Sequence, residues 1–156
     1  MVLCSLLLAI SLADSGALAP TVLKLGDTLP VADLATLTAE ITSTSKFKYP
    51  LIISVFTTWC TVCKKELPQL NNIGKEAKDK NIELNIVGID AGESVNKVSS
   101  YQRKQKLDFD LLVDTSLSLI KKLQIKGTPV VLVFNKKGQL TYQGSGIPAQ
   151  WSNLIL

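Results

Sequence analysis

The chain alternates continuous apolar runs with stretches in which apolar residues recur every three or four positions. Leu51–Phe56 is such a run and is rich in β-branched residues, which is typical of a central strand buried on both faces. A helix that starts at Cys60 is predicted next, because Cys63, Leu67 and Leu70 fall on one helical face. The pattern therefore indicates a buried strand that leads directly into an amphipathic helix.

The remaining pattern predicts further strands and helices in alternation. Strands are predicted over 84–90, 109–113, 130–134 and 139–143, with helices over 95–105 behind Ser94, from Asp114 to Leu123 and over 148–156. Before Leu51 the pattern is weaker, with short extended pieces over 29–37 and a loop or hairpin over 42–48. These elements predict an α/β fold with a mixed central β-sheet flanked by helices on both faces.

Residues 1–19 resemble a targeting segment. Residues 2–12 are almost all apolar, a run too short to span a bilayer comfortably, and a small-x-small triplet precedes Pro20. We therefore predict a signal peptide or N-terminal anchor over 1–19, although no Lys or Arg precedes the apolar run, and one domain over 20–156. Cys4 is then an apolar leader residue, a residue of a buried N-terminal helix or a lipid-modified cysteine.

The net charge and the kinds of basic residue argue against a nucleic-acid-binding protein. The chain has 156 residues and a net charge of +4, from 17 basic and 13 acidic side chains. Arg103 is the single arginine, and arginine usually dominates base readout and bidentate phosphate binding. The scattered lysines are therefore interpreted as a solvated surface with a mild preference for acidic partners, and no nucleic-acid partner is expected.

The titratable side chains also exclude several chemistries. There is no histidine, which excludes Ser–His and Cys–His catalysis and histidine-ligated metals. Cys4, Cys60 and Cys63 are the three cysteines, too few for a disulfide scaffold. We expect neither a metal nor an organic cofactor.

Cys60 and Cys63 lie where the predicted buried strand becomes a helix. Residues three apart in a helical turn have Cα atoms roughly 5–6 Å apart, which is within disulfide range. The unpaired N–H groups of the helix N-terminus stabilise a thiolate at Cys60, which makes it reactive. Open α/β sheets also place their sites at the carboxyl ends of strands. The pair is therefore a candidate for dithiol–disulfide exchange.

Two structural interpretations of the cysteine pair stay open. A disulfide that closes so short a loop stabilises the fold by only about 2 kcal/mol in the chain-entropy formula, so the position is poor for a structural crosslink. Half of a zinc site would need two more ligands, and only Cys4 is left.

At this point the sequence resembles the thioredoxin superfamily. Trp59-Cys60-Thr61-Val62-Cys63 is similar to its Trp-Cys-x-x-Cys motif, and Gly127-Thr128-Pro129 is similar to its turn with a cis-proline. The segment from Cys63 to Pro68 resembles the Cys-x-x-Glu-x-Pro extension of the exported TlpA/ResA-like branch.

The resemblance implies an enzyme that reduces protein disulfides in the periplasm or on the outer face of the cytoplasmic membrane. A disulfide-bearing protein would be its substrate, a membrane thiol–disulfide protein its upstream electron donor, and cytochrome c maturation a possible context. The N-terminal segment would then be a cleaved leader or a membrane tether.

The resemblance also implies roles for single residues. Pro129 in the cis form would face Cys60 and leave the Thr128 backbone to pair with a substrate strand, whereas a mere turn proline would have no chemical role. Trp59 either flanks the thiols and shapes substrate approach or is a partly buried aromatic residue. Glu66 either relays protons near the thiols or is an exposed first-turn carboxylate.

Some features depart from the thioredoxin pattern, and other functions compete. Ser54 stands where thioredoxins have a buried Asp. A disulfide oxidant or isomerase would use the same residues, and only the reduction potential separates it from a reductase. A peroxiredoxin is another alternative, with Thr57 three residues before Cys60 and Arg103 as the one available arginine. A non-catalytic binding module is the last alternative.

Overall fold

The computed structural model describes residues 23–156. The predicted leader over 1–19 and the alternatives for Cys4 lie outside the described residues. Within residues 23–156, no helix has the length and apolar character needed to cross a membrane.

The described chain contains seven strands, four α-helices and a short 3-10 helix. The strands are β1 (Asp33–Thr36), β2 (Ile41–Ser43), β3 (Leu51–Phe56), β4 (Asn85–Asp90), β5 (Asp110–Val113), β6 (Val130–Phe134) and β7 (Leu140–Gly144). The α-helices are α1 (Thr61–Asp79), α2 (Val95–Gln105), α3 (Ser118–Lys122) and α4 (Trp151–Leu154), and the 3-10 helix is Thr44–Lys46.

All seven strands form one mixed sheet in the order β2-β1-β5-β4-β3-β6-β7. The central strands β3, β4 and β5 are parallel, whereas β1, β2, β6 and β7 are antiparallel to their neighbours. In the middle of the sheet, Ile53 pairs with Val87 of β4 and with Leu132 of β6. The carboxyl ends of β3 and β4 therefore meet at one edge, as expected for parallel strands joined by helices.

Strand β3 is fully buried because helices cover both faces of the sheet. Ile52 and Phe56 belong to the core beneath α1, α2 and α4, whereas Ile53 and Val55 belong to the core beneath α3. Side chains alternate between the faces of a strand, so Ser54 points to the α1 face. The predicted α/β architecture with helices on both faces is confirmed.

Several element boundaries differ from the sequence expectations. Helix α1 begins at Thr61 rather than Cys60, because Cys60 has extended φ and ψ angles and caps the helix. The helix predicted to follow Asp114 begins only at Ser118, since Leu117 has a left-handed conformation. Asp114 nevertheless caps this helix, because its two carboxylate oxygens accept from the backbone N–H groups of Ser118 and Ile120.

The first and last elements of the described chain also differ from the prediction. The segment predicted as a loop or hairpin over 42–48 contains the end of β2, which pairs with β1, and then the 3-10 helix. The last predicted helix is shorter than 148–156 and covers only Trp151–Leu154. Its last carbonyl group is hydrogen-bonded to the β6–β7 hairpin, because the Thr141 hydroxyl donates to the carbonyl of Leu154 at 2.7 Å.

Asn71 of α1 forms hydrogen bonds with the loop that follows the C-terminal end of α2. Its side-chain amide donates to the Lys106 carbonyl at 2.8 Å, and its Oδ1 accepts from the Asp108 N–H at 2.9 Å. The loop that ends α2 is therefore hydrogen-bonded to the helix that carries Cys63.

Candidate active site

Cys60 and Cys63 lie at the carboxyl end of the central strand, as the sequence predicts. Strand β3 ends at Phe56, residues 57–60 form the connecting loop, and α1 follows. The Cys60 N–H donates to the Thr57 carbonyl at 3.1 Å, which closes this loop into a tight turn. The position of the loop is therefore fixed by β3 before it and by α1 after it.

The two cysteines form a disulfide across the first turn of α1, with Cα atoms 5.3 Å apart. Cys60 Sγ accepts from the Cys63 N–H at 3.2 Å, so the sulfur occupies the helix-capping position where a thiolate is stabilised. Cys60 keeps 6% of its surface exposed and Cys63 none. An incoming partner therefore meets the Cys60 sulfur first.

The loop with Pro129 lies beside the cysteine loop. Val130 pairs with Val55, so the residues that precede β6 reach the sheet edge where β3 ends. The Thr128–Pro129 peptide bond is cis, and the Thr128 and Thr57 hydroxyl oxygens are 3.5 Å apart. The structure thus brings together the two motifs that the sequence analysis singled out, and the role of Pro129 stays a prediction.

Trp59 and Val62 form an exposed apolar surface next to the disulfide. Trp59 is 69% exposed and Val62 is 56% exposed. Trp59 is therefore not a partly buried aromatic residue, which was one of its two interpretations. Large exposed apolar side chains next to a reactive group are typical of contact surfaces for other proteins.

Glu66 is buried, which excludes the alternative of an exposed first-turn carboxylate. It lies one helical turn after Cys63, keeps 7% of its surface exposed and accepts from the Ser54 hydroxyl at 3.4 Å. Burial raises the pKa of Glu66, and the hydrogen bond from Ser54 opposes that rise. Ser54, which replaces the acid of thioredoxins, thus positions an acid supplied by the helix.

Glu93 is a residue of this site that the sequence analysis missed. Its carboxylate accepts from the Thr58 N–H at 2.6 Å and from the Thr58 hydroxyl at 2.9 Å, and it forms a salt bridge with Lys97. Although burial alone would raise it, the pKa of Glu93 is lowered to about 2 by these hydrogen bonds and by Lys97. Glu93 is therefore ionised, and its carboxylate fixes the position of Thr58, two residues before Cys60.

Asp90 lies behind Glu93 at the end of β4. It is completely buried, its Oδ1 accepts from the Glu93 N–H at 2.7 Å, and its Oδ2 has no hydrogen-bond partner among the described residues. Burial, and then the neighbouring Glu93 carboxylate, raise the pKa of Asp90 to about 7. Protonation gives the unpartnered oxygen a hydrogen that the Glu93 carboxylate can accept.

A signal for this acid pair is present in the sequence. Asp90 ends a predicted buried strand, and Glu93 lies in the turn that follows it. Carboxyl ends of adjacent parallel strands meet at one edge, so acids there lie close to the Cys60 loop. The sequence analysis used this turn only to place Ser94 as a helix cap.

Other polar features lie apart from the cysteines. A cavity of about 600 Å³ is lined by Leu51, Asn85 and Asp110, which begin β3, β4 and β5 at the opposite end of the sheet. Arg103 donates to the hydroxyl groups of Ser99 and Ser100 on its own helix. In the described part of the chain, no three His, Cys, Asp or Glu side chains cluster as metal ligands.

The sequence is similar to those of curated thiol-disulfide oxidoreductases. The chain is similar to thiol-disulfide oxidoreductase ResA of Bacillus subtilis (strain 168), at 27% identity over 90 residues, which are 58% of this chain and 49% of that protein. It is 29% identical over 92 residues to sporulation thiol-disulfide oxidoreductase A of the same organism, with coverage of 57% and 54%. The chain thus spans about half the length of these curated relatives, and the resemblance to the ResA-like branch is confirmed.

Structural comparison confirms the thioredoxin-like fold. The thioredoxin domain of a thiol-disulfide oxidoreductase from Bacteroides vulgatus has a TM-score of 0.72 at 17% identity, over 85% of this chain and 96% of that chain. A thiol-disulfide oxidoreductase from Bacteroides fragilis NCTC 9343 has a TM-score of 0.67 at 20% identity, over 81% and 95%. The profile of the AhpC/TSA family matches residues 25–143, which is most of the chain. The protein therefore belongs to the AhpC/TSA family.

Proposed function

We propose that this protein is a thiol–disulfide oxidoreductase that reduces disulfides of other proteins through Cys60 and Cys63. The observation that carries the proposal is the disulfide at the start of α1, with the more accessible sulfur at the helix cap. The names of the relatives support the same chemistry. The proposed exchange uses no metal or organic cofactor.

In the proposed reaction the Cys60 thiolate attacks one sulfur of a partner disulfide. A mixed disulfide forms, and the other partner sulfur leaves as a thiolate that takes up a proton. Cys63 then loses its proton and attacks Cys60 Sγ, which releases the second partner sulfur as a thiol. Together with the proton that Cys60 gave up when its thiolate formed, two electrons and two protons thus pass from the two protein thiols to one partner disulfide, and the Cys60–Cys63 bond remains.

Trp59, Thr128 and Pro129 are the proposed substrate-binding residues. The exposed Trp59 ring offers apolar contact beside the Cys60 sulfur. The loop of Thr128 and Pro129 contacts Thr57 through the Thr128 hydroxyl and offers its backbone to an extended substrate segment. A substrate strand that lies between these two features brings its disulfide to Cys60.

Glu66 is the proposed proton carrier for the buried thiol. Cys63 is fully buried, so its proton needs a local acceptor when it attacks Cys60. Glu66 lies one turn further along the same helix, and its raised pKa brings it closer to neutral pH, where a group can both accept and release a proton.

The proposed setting is outside the cytoplasm. There the protein would receive electrons from a membrane thiol–disulfide protein and pass them to an oxidised protein, with cytochrome c maturation as one possible context. A leader or anchor over residues 1–19 is part of this proposal, and the resemblance to the ResA-like branch supports it.

A turnover assay with a reduction potential tests the function and its direction. We expect the protein to accelerate reduction of a peptide disulfide by dithiothreitol, and the pair to have a potential of roughly −270 mV or lower, like thioredoxin. Thiol labelling after equilibration with dithiothreitol buffers measures the potential. Absence of turnover contradicts the proposed activity. A potential nearer roughly −120 mV would instead identify an oxidant or isomerase with the same cysteine pair.

The Glu66→Gln variant is expected to change the pH profile of turnover. Removal of a carboxylate near the thiols favours the thiolate form, so the acidic limb of kcat/KM should move by about one pH unit to lower pH. Loss of the proton carrier should also lower kcat at high substrate concentration.

The matched control is Glu76→Gln, in a half-exposed glutamate of the same helix that pairs with Lys80. This variant should leave the profile in place. If both variants have the wild-type profile, Glu66 is only a structural residue.

A further inference from the structure

A hollow of about 220 Å³ opens beside the cysteine loop, between the first turn of α1 and one side of α2. Its lining residues are Thr58, Lys64, Lys97, Ser100, Tyr101 and Lys104, together with Gln105. Lys64 directly follows Cys63, and Thr58 lies two residues before Cys60. A group bound in this hollow is therefore close to the disulfide.

The hollow carries a positive charge. Lys64, Lys97 and Lys104 are all exposed, and within residues 23–156 neither Lys64 nor Lys104 forms a salt bridge. Lys97 is paired with Glu93, whose carboxylate is also bound to Thr58. Three ammonium groups thus face one carboxylate that is already occupied by protein partners, which leaves an excess of about two positive charges.

Tyr101 forms part of the wall of this hollow. The side chain is 7% exposed and its ring stacks on Phe56, with ring centroids 5.7 Å apart. Its hydroxyl has no hydrogen-bond partner among the described residues. Burial, and then the charge of Glu93, raise the pKa of Tyr101, so the hydroxyl keeps its proton. This hydroxyl is buried, so the groups that an incoming carboxylate meets in the hollow are the ammonium groups of the lysines.

We propose that this hollow binds an acidic side chain of the substrate protein a few residues from its disulfide, so that disulfides with Asp or Glu neighbours are preferred substrates. The inference rests on the proposed function and specifies its substrate class. Trp59 would contact the apolar part of the same segment, and the positive N-terminal end of α1 adds to the attraction. Charge complementarity of this kind raises specificity and the rate of encounter.

Two disulfide peptides that differ only in charge test the preference. One has Glu residues on both sides of its cystine and the other has Gln at the same places, and dithiothreitol, which is uncharged, regenerates the thiols. At low ionic strength we expect kcat/KM to be about three- to ten-fold higher for the acidic peptide, mainly through KM. Near 1 M salt, where the Debye length is about 3 Å, the ratio should approach one.

Lysine variants localise the effect. Combined Lys64→Gln and Lys104→Gln substitution should reduce the ratio of the two kcat/KM values to near one. The ratio is the readout, because a charge removed next to the thiols also changes the reactivity towards both peptides equally. Lys78→Gln is the matched control, since this exposed lysine lies in the last turn of α1, far along the helix from Cys60, and should keep the wild-type ratio.

Three results would overturn the inference. Equal kcat/KM for both peptides in the wild type contradicts it and leaves the proposed oxidoreductase intact. A preference that survives the double substitution contradicts the location at the hollow. Turnover of neither peptide contradicts the proposed function and the inference with it.

Discussion

The Cys60→Ser variant is expected to lose at least about a thousand-fold of its disulfide-reducing turnover, whereas Cys63→Ser should stall as a stable mixed disulfide. Cys60 has the more accessible sulfur and the capping position, so its loss removes the attacking thiolate. Cys63 is buried behind it and acts only in the second step. In the Cys63→Ser protein the first step proceeds, and the covalent intermediate has no internal thiol to resolve it.

Mass spectrometry of each variant with an oxidised peptide measures this difference. The Cys63→Ser protein should gain the mass of one peptide half, and dithiothreitol should remove it. The Cys60→Ser protein should gain little or none. Efficient adduct formation at Cys63 alone would reverse the assigned order of attack and contradict the interpretation of the burial difference.

Between about pH 4.5 and pH 7 the oxidised protein should become less stable as the pH rises, because of Asp90. This carboxyl is protonated in the folded protein up to about pH 7, but in the unfolded chain it ionises near its ordinary value of 3.8. Its contribution is therefore complete below the lower value and is lost as the pH approaches the upper one. The lowered pKa of Glu93 acts in the opposite direction, but only below its ordinary value of 4.5. The expected loss is a few kcal/mol.

Urea unfolding at a series of pH values tests this dependence. Asp90→Asn should remove most of this slope, since the amide has no proton to lose. The remainder comes from Glu66, whose pKa is raised as well. Glu93→Gln should destabilise the protein by about 2 kcal/mol, because Thr58 keeps only a neutral amide oxygen in place of two charged acceptor oxygens. It should also move the remaining slope to lower pH, since the charge that raises the pKa of Asp90 is gone.

Glu83→Gln is the control, because this glutamate is exposed and lies outside the acid pair. Its stability curve should run parallel to that of the wild type. If the Asp90→Asn curve also runs parallel to the wild-type curve, Asp90 ionises in the folded protein as it does in the unfolded chain, and burial does not raise its pKa.

The features that were predicted correctly are those encoded in neighbouring residues. The apolar run of β3, the helical face of α1 and the Cys60–Cys63 spacing are local patterns, so the strand, the helix and the disulfide follow from them. Turn chemistry likewise placed Pro129 before β6. Local propensity and hydrophobic period are strong signals when they agree over a whole element.

The features that were missed depend on residues far apart in the chain. Glu93 meets Thr58 across 35 positions, and only the parallel pairing of β3 with β4 brings them together. Glu66 is buried beside Ser54, and this placement depends both on which face of β3 Ser54 lies on and on where α1 packs. The late start of α3 results from the left-handed conformation of Leu117, and that residue type does not usually adopt it.

Helix α2 is held by hydrogen bonds at both ends, to the cysteine loop at its start and to the middle of α1 at its end. Glu93, just before its first turn, holds Thr58, and Asn71 of α1 holds the loop around Lys106 after its last turn. The helix therefore cannot slide along the sheet without breaking hydrogen bonds at one end or the other. The backbone at Lys104 is consequently fixed relative to the cysteine loop, and only the lysine side chain can adapt to a substrate: selection would depend on the spacing between acid and cystine as well as on charge.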